Sequence, residues 1–100
     1  MPEKGTNIRI LSDSYRYHLN KVLEHESGIS LMEYQRYIES KNLCRHVENA
    51  VNYLQDEQMQ LIVRKEVLEG KRGKWYKEYF SLTTYYRIRE KSYKAFLNYL

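Results

Sequence analysis

One hundred residues suffice for one small domain with a core but not for two, and a composition that is 42% hydrophobic and 30% charged is that of a globular chain rather than a disordered or fibrous one. The net charge of +4 favours an acidic partner, while the lone Cys44 excludes both an intrachain disulfide and a cysteine-rich zinc site. No apolar run approaches the roughly 20 residues of a membrane span, and the opening MPEKGTNIRI lacks the apolar segment of a secretory signal, so a cytoplasmic protein with no membrane partner is expected.

Residues 1–11 read as a flexible arm, since Met1 to Asn7 holds the only proline and offers nothing to pack. Residues 12–100 read as one domain. Ser12 or Ser14 is positioned to cap a first helix in which Tyr15, Leu19, Val22 and Leu23 recur at helical steps, and Ser27 and Gly28 end it. Ser30 with Glu33 resembles a capping box for a second helix running to about Ser40, with Leu31, Tyr34 and Ile38 as its buried stripe. Lys41, Asn42 and Leu43 break the pattern. A third helix then buries Val47, Ala50, Val51 and Leu54 and runs towards Gln58.

Leu61 to Leu68 and Trp75 to Leu82 are rich in β-branched, aromatic and aliphatic residues and read as two strands, with Gly70 and Gly73 supplying the turn. Arg64, Lys65, Lys71, Arg72, Lys74 and Lys77 lie along this hairpin against only Glu66 and Glu69 as far as Lys77, which projects positive charge suited to phosphate. Charged hairpin tips also serve solubility alone. Thr83 or Thr84 would cap a final helix carrying Tyr86, Tyr93, Phe96, Leu97 and Leu100. Eleven tyrosines are many for this length and fit an aromatic core, a dimer interface or a composition bias equally.

The order helix, helix, helix, strand, strand, helix resembles the winged helix-turn-helix family, in particular small regulators of the MarR and PadR type. The resemblance rests on RHVENAVNYLQDEQM (Arg45 to Met59), which is similar to their recognition helix, and on YFSLT (Tyr79 to Thr83), similar to a closing wing strand. It implies an α+β, mainly α, domain with a C-terminal dimerisation helix. Packing through Val47, Ala50, Val51 and Leu54 would turn Arg45, His46, Glu48, Asn49, Asn52 and Tyr53 outward, where arginine and asparagine have the donor geometry to read guanine and adenine. A polar solvated face is the competing reading for each. Arg64, Lys65, Lys71, Lys74 and Lys77 would contact phosphates, and Arg72 at the wing tip would enter a narrow minor groove.

Tyr85, Tyr86, Tyr93, Phe96, Leu97 and Leu100 exceed one core-facing stripe and mark a homodimer contact, in keeping with the resemblance. The expected function is a homodimeric, sequence-specific double-stranded DNA-binding regulator of the repressor type, associated with the nucleoid or a plasmid. A plasmid-partition or nucleoid-type adaptor fits the same residues, as does a winged-helix module for protein or RNA. The resemblance also admits a small-molecule effector or a partner protein. No glycine-rich phosphate cradle, nucleophile motif or ligand set stands out, so no catalytic residue, metal or cofactor is expected; Cys44 with His46 and His18 with His25 supply too few ligands.

Overall fold

The structure, a computed structural model, describes residues 3–100. Four α-helices form in chain order: α1 (Glu3–Glu26), α2 (Tyr34–Asn52), α3 (Glu57–Val63) and α4 (Leu82–Tyr99). The backbone of α3 continues as a wider π-helical turn, Arg64–Leu68, and a single 3₁₀ turn, Trp75–Glu78, precedes α4. There is no strand among the described residues. The expected α+β winged helix is therefore overturned, and with it the hairpin, its wing and the reading of residues 12–100 as a winged helix-turn-helix domain.

The physical reason lies in residues that satisfy two periodicities. Leu61, Ile62 and Val63 have strand-like side chains, but Ile62, Val63, Glu66 and Val67 also recur at the three- and four-residue steps of a helix, and those four are buried together. Asp56 decides between them. Its side chain accepts from the backbone N–H groups of Gln58 (2.8 Å) and Met59 (3.0 Å), capping a helix that then propagates through the apolar run. At the far end Gly70, at φ +68°, turns the chain so that Lys71 N–H donates to Lys65 O at 2.8 Å. Trp75 and Tyr76, expected in the second strand, instead sit in an aromatic cluster with Tyr85, in which the Tyr76 and Tyr85 rings stack at 4.0 Å.

Other boundaries moved as well. Of the expected loose arm, residues 1–11, Met1 and Pro2 lie outside the described residues; α1 begins at Glu3, and the rest of the arm is helical and buries Ile8 in the core. Ser12 is a core residue instead of a cap, its hydroxyl donating to Val67 O at 2.7 Å and satisfying a carbonyl at the end of the π-helical turn. α1 does end as expected: Gly28, at φ +76°, lets Ile29 N–H reach Glu24 O (2.9 Å) and Gly28 N–H reach His25 O (3.1 Å). α2 runs unbroken through Lys41, Asn42 and Leu43, so the expected second and third helices are one. The N-cap of α4 is Ser81, whose side chain accepts from Thr84 N–H at 3.3 Å.

The core gathers Ile8 and Tyr15 of α1, Cys44, Val47, Ala50 and Val51 of α2, Ile62 and Val63 of α3, and Tyr85, Ile88, Tyr93 and Phe96 of α4. Leu54, Val67 and Tyr76 complete it from the segments between α2 and α4. Val47, Ala50, Val51 and Leu54 all face inward as their spacing requires. Leu31 and Tyr34 do not: they are 92% and 72% exposed and, with Leu23 and Ile29, leave an apolar end on the molecule where α1 meets α2. Burial pushes the Cys44 thiol up, away from the reactive thiolate form. No described helix is long and apolar enough to cross a membrane.

Candidate nucleic-acid interface

Charge is unevenly distributed along this chain. Between Lys71 and Lys94 there are eight cations, Lys71, Arg72, Lys74, Lys77, Arg87, Arg89, Lys91 and Lys94, and only two anions, Glu78 and Glu90. The remaining residues hold nine cations against eleven anions. The whole positive excess therefore belongs to the loop before α4 and to α4 itself.

Helical geometry sorts this charge onto one side of α4. Tyr85, Ile88, Ser92, Tyr93 and Phe96 are buried, which turns Thr83, Arg87, Glu90, Lys91, Lys94 and Asn98 to the opposite, exposed face. Arg87, Lys91 and Lys94 lie within two turns of one another, and none makes an ion pair among the described residues. The same holds for Lys71, Lys74 and Lys77 in the preceding loop and 3₁₀ turn. Among the described residues, then, no carboxylate is paired with any of these six side chains.

The residues expected to read bases lie instead on α2 and just after it, and several are engaged within the chain. Glu48 accepts from the Tyr15 hydroxyl at 2.6 Å, and the His46 ring lies 2.9 Å from Leu100 O. Asn52 accepts from Arg64 at 2.6 Å, which engages one residue of each expected group. The Tyr53 ring packs 5.5 Å from that of Tyr99. Arg45 and Asn49 stand exposed. Of the basic residues assigned to the wing, Lys65 pairs with Glu69 at 3.4 Å and Arg72 with Asp13 at 3.5 Å. The expected dimer contact divides likewise: Tyr85, Tyr93 and Phe96 are inside the core and have no surface to offer, whereas Tyr86 and Leu100 are exposed and Leu97 is half-buried.

α4 is held in place by a polar assembly that spacing alone does not reveal. Glu66, 6% exposed, sits on the inner face of the π-helical turn. It accepts from the hydroxyls of Tyr85 and Tyr93 and from the Trp75 indole N–H at 2.9 Å, and it pairs with Arg89 at 3.4 Å. Arg89 in turn donates to the Tyr93 hydroxyl at 3.1 Å and lies over the Tyr93 ring, 4.6 Å from its centre. A carboxylate in an apolar stripe is costly unless its lone pairs are filled, and here four side chains fill them. A helix-period pattern interrupted by a charge was the available signal, together with the tyrosine surplus that answers it.

Burial first, and the hydrogen bond to Glu66 second, hold the Tyr85 and Tyr93 hydroxyls well above the usual phenol range. Both therefore remain protonated donors at neutral pH. Because the folded pKa lies above the unfolded value of about 10, the stability that these donors contribute is fully present below about pH 10 and declines as pH rises above it. Urea denaturation from pH 7 to 11 should show constant stability on this account up to about pH 9 and a fall beyond it. In the variant Tyr85→Phe plus Tyr93→Phe that alkaline fall should shrink.

Between the start of α1, the loop 71–74 and α4 there is a cleft of about 370 Å³ with Glu66 and Tyr93 in its wall. Comparisons with protein-family models, with curated proteins and with solved structures find no match to this chain.

Proposed function

We propose that this protein binds double-stranded DNA through the outer face of α4 and the basic loop before it, and that it acts in the control of transcription. The observation that carries the reading is the segregation of charge: six unpaired cations on one helix face and its leading loop, in a chain whose remaining residues are slightly acidic. Such an arrangement neutralises backbone phosphates and releases their counterions, which is the main source of affinity for DNA. α2 offers a smaller positive excess: it carries Arg36, Lys41 and Arg45 with Glu39 and Glu48 on the same helix, and Lys41 is paired with Glu26 at 3.2 Å.

A major groove admits an α-helix, and Arg87 near the exposed start of α4 has the geometry to donate two hydrogen bonds to a guanine edge. The Ser81-capped N-terminus adds a partial positive charge on the same side. Lys71, Lys74 and Lys77 would flank the groove on phosphates and position the helix without reading sequence.

Fluorescence anisotropy with labelled random-sequence duplex, single-stranded RNA of equal length and a range of salt tests this directly. Duplex binding that weakens linearly with the logarithm of salt concentration is the expected result. Absence of duplex binding at low salt, or tighter binding of the RNA, would overturn it. Selection of bound sites from random duplexes then reports whether the complex has one half-site or two, and so whether the protein acts as a homodimer.

A further inference from the structure

The cleft beside α4 is a separate feature from the helix face. Its walls carry five cations that come from three parts of the chain: Arg9 from α1, Lys71, Arg72 and Lys74 from the loop, and Arg89 from α4. Among the described residues the only carboxylate in the wall is that of Glu66, whose lone pairs are already occupied by Arg89, two tyrosines and Trp75. Asp13, just outside, pairs with Arg16 at 2.7 Å and with Arg72 at 3.5 Å, so part of the Arg72 charge is engaged. Lys71 and Lys74 have no carboxylate within ion-pair distance among the described residues. The cleft thus concentrates uncompensated positive charge in a concave site.

Its dimensions select the ligand. About 370 Å³ lies at the small end of ligand pockets, too small for a large cofactor and adequate for a compact one. Tyr86 belongs to the wall yet is 53% exposed, with Arg89 about 6.0 Å from its ring centre. One end of the cleft therefore offers cations, and its rim offers an aromatic face on which a planar ring can stack. We infer that this cleft binds a nucleoside polyphosphate, with the phosphates held by Arg9, Lys71 and Lys74 and the base against Tyr86. Because Arg89 is tied to the Glu66 assembly, an occupant would be felt directly by the residues that seat α4.

The cleft shares Lys71 and Lys74 with the proposed duplex surface, but Arg9 and Tyr86 belong to it alone, and variants at those two positions keep the tests of the two readings apart. Isothermal titration of the full chain with ATP, AMP and inorganic pyrophosphate, without divalent metal, should show one saturable site that takes ATP more tightly than AMP. Arg9→Gln combined with Lys74→Gln, both exposed positions, should lower ATP affinity at least about tenfold, which corresponds to about 1.4 kcal/mol. Tyr86→Ala should weaken ATP and leave pyrophosphate unchanged. Arg87→Gln with Lys91→Gln and Lys94→Gln should leave ATP binding intact. No heat with any probe at millimolar concentration, or equal ATP binding by the Arg9 and Lys74 double variant, overturns the site. Pyrophosphate binding as tightly as ATP overturns the nucleoside assignment, and loss of ATP binding in the Arg87, Lys91 and Lys94 triple variant overturns the placement of the site in the cleft.

Discussion

Glu66→Ala should destabilise this protein by about 3–5 kcal/mol, the range seen when one partner of a buried, hydrogen-bonded charge pair is removed. The loss has two sources. Arg89 would be left half-buried without its carboxylate, and the Tyr85 and Tyr93 hydroxyls and the Trp75 indole would lose their acceptor. Glu66→Gln keeps the volume and one acceptor oxygen, and should cost about 1–3 kcal/mol. For a domain of this size each kcal/mol moves the melting temperature by about 4–8 °C. Thermal and urea unfolding followed by far-ultraviolet circular dichroism measures both variants. If Glu66→Ala lies within about 1 kcal/mol of the parent, the assembly is not what seats α4. A double-mutant cycle between Glu66→Gln and Tyr93→Phe should show a coupling of at least about 0.5 kcal/mol, as expected for neighbours in one network.

The second large effect concerns DNA. Replacing Arg87, Lys91 and Lys94 together with glutamine removes three unpaired charges from an exposed helix face and should leave stability unchanged within about 0.5 kcal/mol. Each lost phosphate contact lowers the slope of log affinity against log salt by about 0.9, so loss of Lys91 and Lys94 should cost about two decades of duplex affinity at ~0.1 M salt, taking 1 M as the point of full screening, and loss of Arg87 adds to this on sites that carry its guanine. Arg45→Gln with Asn49→Ala is the matched control on α2 and should bind nearly as well as the parent. Loss of binding in that control, with the triple variant unaffected, would move the interface to α2 and restore the sequence expectation for those two residues.

Much of the helix content was legible and the fold was not. The end of α1 at Gly28 and the inward face of Val47, Ala50, Val51 and Leu54 follow from spacing, because a left-handed glycine and a 3.6-residue repeat are local properties. The segment from Leu61 to Leu82 reads as two strands because its apolar residues fit a strand and a helix alike, and the Asp56 cap that starts the helix lies outside the run. Leu31 and Tyr34 show the opposite case: their spacing fits a buried stripe, yet both are largely exposed. The site divides in the same way. The cations at Lys71, Lys74 and Lys77 could be read from composition, whereas the contribution of Arg9 and Arg89 to the same cleft is a product of tertiary packing. In the sequence Glu66 reads as a minor offset to loop charge, and only its burial among Tyr85, Tyr93, Trp75 and Arg89 gives it a role.

α1 links two regions of unlike character. Near its start stands Arg9 in the wall of the basic cleft, and near its end stands Leu23 beside the uncovered Ile29, Leu31 and Tyr34. At 1.5 Å per residue the helix separates Arg9 from Leu23 by about 21 Å, a substantial part of the 46 Å long axis of the molecule. An unbroken helix of this length conveys force as a stiff lever does, by tilting or sliding as a whole. A displacement of its first turns at the cleft would reach the apolar end only by shifting Ile8, Ser12 and Tyr15 against the core they pack into, so that the packing of α1 sets how far the two ends are coupled.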